Sequence, residues 1–232
     1  LAPDTQYFVR IVTLKGQQTS AGVPAGFRTG KTMTLVATHD TTIIESTATP
    51  ANQGVNFTTG PDSVGCFFVA INDLAGNLYP FHQCGGTLLQ FPPAPLAGKT
   101  VLAAGLVLRP CALAPGPLSN PGLPTATYDV HAIAGAWNPA TVTFNTAPGM
   151  YGTPSFTVPA PASAAPSVFD VTAIARNWAT GTWANNGLYV RQYPVVDRVP
   201  PVNGQGARTQ DQTTSYCSLE QNGGMPNNRP AL

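Results

Sequence analysis

Two aspartates occupy the same place in two copies of one phrase. YDVHAIAGAW at 128–137 and FDVTAIARNW at 169–178 align at an offset of 41, sharing Asp129/Asp170, Val130/Val171, Ile133/Ile174 and Trp137/Trp178. The match continues to Thr141/Thr182 and Asn145/Asn186. A carboxylate pair cleaves glycosidic bonds when its members face each other at a set separation. A tryptophan pair can form a platform for sugar rings. The surrounding residues favour architecture over either chemistry. In the second copy Val171, Ile174, Ala175 and Trp178 fall at i, i+3, i+4 and i+7, the spacing of a short helix with one buried face. Asp170 or Thr172 stands where a cap would accept the first N–H groups. Asn185, Asn186 and Gly187 then turn the chain into a strand. The first copy repeats the design before a strand at 141–144. Asp129 and Asp170 therefore read as helix caps, and Trp137 and Trp178 as interior anchors.

The remaining chemistry is sparse, with ten carboxylates and three histidines in the chain. His39–Asp40 reads as a solvated edge pair, His82 as a hairpin surface residue, and His131 as partly buried on a backbone partner. No Gly-x-Ser-x-Gly elbow, His-Glu-x-x-His or phosphate loop occurs, and no catalytic residue or metal ligand is assigned. No cofactor is expected. A structural calcium ion would use oxygens near Asp73 or Asp170, where caps and turns explain the residues better. Sugar binding needs exposed aromatic faces flanked by hydrogen-bonding groups. Trp183, Tyr189, Tyr193 and Tyr151 are the best candidates. Trp183 aligns with Val142 of the first copy, so a core position competes with exposure. Tyr189 and Tyr193 share one side of their strand. Asn56-Phe57-Thr58 is a glycosylation acceptor pattern.

Composition sets the elements that must position these groups. Charged residues are 9% of 232, against about 25% in ordinary soluble domains. The 24 prolines and 23 glycines interrupt long helices. Short strands and turns with a Thr, Asn, Gln and Ser surface follow, in an extracellular all-β protein. A net charge of +1 and only three lysines leave no grip on a phosphate backbone, so nucleic acid is not a partner. Near-neutral charge also eases self-association. No apolar run approaches the roughly 18 residues of a membrane span. Leu1 falls inside an apparent strand, so any export signal would lie upstream.

Cys66, Cys84, Cys111 and Cys217 form no CxxC, which disfavours zinc and thioredoxin-like chemistry. An even number spread over strands predicts two disulfides and an oxidising compartment. Three pairings are open. Cys66–Cys84 is favoured, because CFFVAINDLAGNLYPFHQC reads as two strands around a turn at Leu74–Asn77, and Cys111–Cys217 would follow.

Strands are expected at 41–46, 55–59, 86–91, 100–109, 141–144, 167–171, 187–193 and 213–219. Proline-rich or polar loops fall at 110–124, 159–166 and 197–212. The whole predicts a jelly-roll-like β-sandwich with one or two short helices. Residues 31–37 read as a linker, after an N-terminal hairpin at 1–30.

Two resemblances sharpen this reading. Leu1-x-Pro3-x-Thr5-x-Tyr7, followed by an alternating strand, resembles the tyrosine corner of fibronectin type III domains. GVPAGFRTG at 22–30 then stands where the last strand of such a domain would be. From 38 to 232 the chain resembles the DNRLRE-type domain, counted among carbohydrate-binding modules. FDVTAIARNWATGTWANNGLYVRQ, WNPATVTFNTAP, TLLQFPPAPLAGKTVLAAGLVLRP, DTTIIESTATPANQG and SYCSLEQNGGMPNNRPAL carry that resemblance in order. Phe144 stands where a second Trp is usual and Gln90 where Arg is common. The resemblance implies a secreted jelly-roll-like sandwich appended to other modules.

The functional expectation is a non-catalytic extracellular or cell-surface module that attaches a larger protein to polysaccharide or another surface component. The alternative is a filament or coat subunit that joins copies of itself through residues 1–30 by strand or hairpin exchange.

Overall fold

A computed structural model of the protein describes residues 2, 4–9, 12–15, 18–21, 23, 25–46, 54, 56, 62–72, 78–93, 95–110, 127–152, 157–159, 166–193, 210–211, 214–219 and 229–232. The expected strand at 55–59 and the loops at 110–124, 159–166 and 197–212 lie wholly or mostly outside them. The chain divides into two compact units, Leu1–Thr34 and Leu35–Leu232.

The first unit is a ribbon of paired strands. β1 (Gln6–Val9) pairs with β4 (Ala25–Arg28), and β2 (Val12–Lys15) with β3 (Gln18–Ala21), all antiparallel. Its open end is tied locally. The Tyr7 hydroxyl accepts from Ala2 N–H at 2.6 Å, and Thr29 Oγ1 accepts from Thr5 N–H at 2.9 Å while donating to the Ala2 carbonyl at 2.6 Å. Asp4 takes a left-handed conformation (φ 52°), which aspartate tolerates better than most residues. Gly26 faces Phe8 across the ladder, and a Cβ there would meet the Phe8 ring. That ring is nonetheless 76% exposed.

Among its described residues the second unit is all-β with one α-helix. Its elements are β5 (His39–Ser46), β6 (Asp62–Asn72), β7 (Leu78–Gln90), β8 (Gly105–Leu108), β9 (Thr127–Ala132), β10 (Thr157–Pro159), β11 (Ser167–Asp170), α1 (Thr172–Ala179), β12 (Leu188–Tyr193), β13 (Gln210–Asp211) and β14 (Thr214–Tyr216). The main antiparallel sheet runs β10-β9-β12-β7-β6-β13, with β5 also on β7 and β14 on β6. A smaller sheet pairs β11 with β8, and Ala231 bridges both Val107 and Val36. Residues 35–37, expected as linker, thus belong to this unit. Leu35 and Leu232 exchange backbone hydrogen bonds at 2.7 and 2.8 Å, and Ala37 N–H donates to the Pro230 carbonyl at 2.9 Å.

Period-two alternation explains the core. Tyr128, Val130 and Ala132 of β9, Leu188 and Val190 of β12 and Leu89 of β7 turn to one face of the main sheet. There they meet Leu106 and Leu108 of β8, Phe169 of β11, and Val171, Ile174 and Trp178 of the α1 segment. The opposite face of the main sheet carries Ile43, Leu88 and Ile133, packed with Val142, Trp137, Phe144 and Tyr189.

The doubled phrase therefore supplies one strand to each sheet. Tyr128/Phe169 and Val130/Val171 are fully buried equivalents, while Asp129 and Asp170 point the other way. The copies diverge after Ile133 and Ile174. The second forms α1 as expected. The first forms no helix: it bends at 134–135 and turns at 139–141, and the expected strand at 141–144 is replaced by a 3-10 turn, Phe144–Thr146. Gly135 stands where α1 has Arg176, and Pro139 where the second copy has Thr180, the residue that ends α1; glycine disfavours the helix and proline removes the N–H that Thr180 donates to Arg176.

Candidate functional site

The four nominated aromatics divide between two places. Trp183 follows the close of α1, where Gly181 turns the chain at φ 75° and Trp183 N–H donates to the Asn177 carbonyl at 3.1 Å. Tyr151 is set by its N–H on the Ala132 carbonyl at 2.9 Å, beside the bridge between Ile133 and Met150. The two rings stack with centroids 4.6 Å apart and planes 3° from parallel. Both are half-buried and rest against the main core. Thr180 and Thr182, whose hydroxyls lie 2.9 Å apart, precede Trp183 in sequence and are exposed. The result is a rigid aromatic step with polar groups beside it.

Tyr189 lies elsewhere, on the second face of the main sheet. Its ring covers Gly86, where any Cβ would collide with it. Tyr193 belongs to β12 and pairs with Thr127, but its side chain lies outside the description.

The same face holds a polar cluster. β9 and β12 place Arg191 opposite Asp129 and Tyr189 opposite His131. Asp129 Oδ2 lies 3.0 Å from His131 Nε2, and Oδ1 lies 3.4 Å from Arg191 Nε. The second approach is close enough for an ion pair yet misaligned for a hydrogen bond, leaving Oδ1 without one among the described residues. Asp129 is wholly buried and His131 nearly so, whereas the Arg191 side chain is 30% exposed. His131 Nδ1 is likewise buried with no hydrogen-bond partner among the described residues.

Several expected roles change here. Asp129 is no helix cap; it is a strand residue paired with His131, because the first copy stays extended at that point. His131 sits on a carboxylate instead of a backbone group. Asp170 does serve the backbone, accepting Thr172 N–H at 2.9 Å one residue before the assigned cap, Val171. Thr172 Oγ1 accepts from Ala104 N–H at 2.9 Å instead of capping α1. Trp178 is a core anchor, 6% exposed, while Trp137 is half-buried, with Nε1 donating to the Asn186 carbonyl at 2.8 Å. Asp40, expected as a solvated partner of His39, is 3% exposed and accepts Leu219 N–H at 2.6 Å; His39 is exposed. Alternation puts Asp40 on the core side of β5, level with Leu89.

The cysteines also part ways. Cys84 is disulfide-bonded, and Cys66 stands directly opposite it on the β6–β7 ladder. Cys217 is a buried thiol, which corrects the expected bond to Cys111. Its N–H donates to the Arg109 carbonyl, and Pro110 bridges Tyr216, so the residue across from Cys217 is Arg109. Cys111 and Asp73 lie outside the described residues. Among those residues no three His, Cys, Asp or Glu side chains gather as a metal site would require. No helix of the described structure is long and apolar enough to cross a membrane.

Arg191 escaped the sequence reading although its signal was present. It lies midway between Tyr189 and Tyr193, so alternation puts it on their side. Its carboxylate partner is 62 positions away and emerges only from strand pairing. No protein-family model matches the chain, and no curated protein matches it.

Proposed function

We propose that this chain is a non-catalytic extracellular module, a DNRLRE-type jelly-roll-like sandwich, that attaches a larger secreted protein to polysaccharide or another cell-surface component. The observation that carries this reading is the stacked Tyr151–Trp183 pair. Two aromatics nominated for sugar contact, from segments 32 positions apart, meet as one half-exposed step held by backbone hydrogen bonds. Aromatic faces of this kind cover the apolar side of a sugar ring, and a preorganised step loses little side-chain entropy on binding. A non-catalytic role is supported by the placement of the duplicated aspartates. Asp129 is buried on the main sheet and Asp170 exposed on the smaller one, each engaged with a neighbour. Affinity electrophoresis through gels containing different polysaccharides tests the reading. Retardation in at least one gel is expected, and Trp183→Ala should abolish it. Unretarded migration in every gel counts against the proposal.

The filament reading keeps one observation in its favour. Phe8, Val9 and Val23 of the hairpin unit are 76%, 53% and 92% exposed. Such an apolar ribbon invites a covering surface. Fibres formed by the intact chain and lost in Phe8→Glu would support it; unchanged assembly would remove it.

A further inference from the structure

The Tyr151–Trp183 step has an electrostatic character that its two segments dictate. Residues 130–169, which supply Tyr151, and 177–190, which supply Trp183, contain no Asp, Glu, Lys or Arg. The histidine of the first segment, His131, is buried on Asp129. Arg176, the cation that precedes the second, donates through Nε and Nη2 to the carbonyls of Val101 and Leu102 at 2.9 and 2.8 Å.

The polar groups beside the rings are therefore neutral. Trp137 Nε1 donates to the Asn186 carbonyl and Trp178 Nε1 is buried, whereas Trp183 Nε1 is neither buried nor hydrogen-bonded among the described residues. The same holds for the Tyr151 hydroxyl. Thr180 gives its one hydroxyl proton to the Arg176 or Asn177 carbonyl. Thr182 then donates to Thr180 and keeps its lone pairs for an incoming hydroxyl.

Geometry sets the size of the guest. Parallel rings with centroids 4.6 Å apart must overlap, so each covers one face of the other. The remaining faces point in opposite directions and cannot align as one flat strip. A single sugar ring can lie against the step; a row of rings on a crystal surface cannot. Charge decides between chains. A carboxylate brought here would leave water with no cation supplied by these segments to meet it. A net charge of +1 gives the chain little field to draw in an anionic polymer. A neutral hydroxylated ring finds both donors and an acceptor.

We propose that the Tyr151–Trp183 step takes one ring of a neutral, soluble glycan chain and discriminates against acidic and crystalline polysaccharides. This choice of ligand rests on the polysaccharide reading.

The test varies charge and packing separately. Native gels carrying hydroxyethylcellulose, galactomannan or arabinoxylan are compared with gels carrying carboxymethylcellulose, alginate or polygalacturonate. The intact chain is also sedimented with microcrystalline cellulose and with chitin. At least one neutral gel should retard the chain, with an apparent affinity at least about tenfold above that in any acidic gel. Neither powder should carry it down. A smaller margin, or cosedimentation with a powder, overturns the choice of ligand and leaves polysaccharide attachment standing. Free migration in every gel without cosedimentation overturns both. Trp183→Ala should remove the retardation, and Trp183→Phe, which keeps a ring in the stack, should weaken it about threefold. Retardation unchanged in both variants overturns the assignment to this step. The wild-type comparisons decide the ligand class even if a variant fails to fold.

Discussion

Asn56 Nδ2 donates to the carbonyls of both Pro139 and Val142, at 2.8 and 2.6 Å, across more than eighty positions of sequence. The turn it grips is closed from within by Val142 N–H on the Asn138 carbonyl, and it delivers the buried Val142 side chain to the cluster beneath Trp137. The nitrogen that a glycan would take at this acceptor pattern is thus already committed twice. Asn56→Ala should lower unfolding free energy by about 1–2 kcal/mol. Asn56→Asp should cost more, because a carboxylate facing two carbonyl oxygens repels where the amide donates. Urea denaturation of both variants measures the difference.

Tyr216 is fully buried, with its hydroxyl 2.8 Å from Ser167 Oγ. Burial pushes its phenol above the ordinary 10.0. The unfolded chain therefore releases this proton first. The contribution to stability is complete below about pH 10 and declines as pH rises from there toward the folded value. The limiting slope for one proton is about 1.4 kcal/mol per pH unit. Stability measured between pH 9 and 11 should fall less steeply in Tyr216→Phe. Ser167→Ala should cost about 1–3 kcal/mol by removing the hydroxyl's partner.

Cys84 is bridged and Cys217 is a buried thiol. Peptide mapping without reduction should recover Cys84 joined to Cys66, the residue opposite it on the ladder. Alkylation should reach Cys217 only after unfolding. Breaking the bridge with Cys84→Ala should cost about 3 kcal/mol on the chain-entropy view of a loop this short.

Asp170 opens the helical half of the second phrase. Hydrogen bonding from the Thr172 side chain, and then from its backbone N–H, holds the Asp170 carboxyl below the ordinary 3.8. A carboxyl depressed in the folded state favours folding at pH above its unfolded value, and that benefit fades as acid protonates it. An NMR titration should place the Asp170 midpoint under 3.8, and Thr172→Val should move it upward.

Local pattern was a good guide wherever local rules decide the outcome. Helical spacing placed α1 with Ile174, Ala175 and Trp178 buried, while alternation set Tyr189 and Val190 on opposite sides of β12 without deciding which side is the core, and strand pairing buried Val190. Local pattern misled at the first copy, where shared letters hid the breakers Gly135 and Pro139. It also missed what strand pairing creates. The Asp129–Arg191 pair, the reach of Asp40 to Leu219 and the return of Leu232 to Leu35 join residues 62, 179 and 197 positions apart. No window of sequence spans such distances. The Tyr151–Trp183 step is intermediate: both rings were nominated singly, and only the backbone ties at Ala132 and Asn177 made them neighbours.

That stack also gives the protein an optical reporter of its own. Trp178 is enclosed and Trp137 is anchored through its indole nitrogen, so their emission should vary little when the surface is occupied. The indole of Trp183, lying parallel to a phenol ring at the edge of solvent, is the chromophore whose brightness and near-ultraviolet dichroism should register a guest without any attached dye.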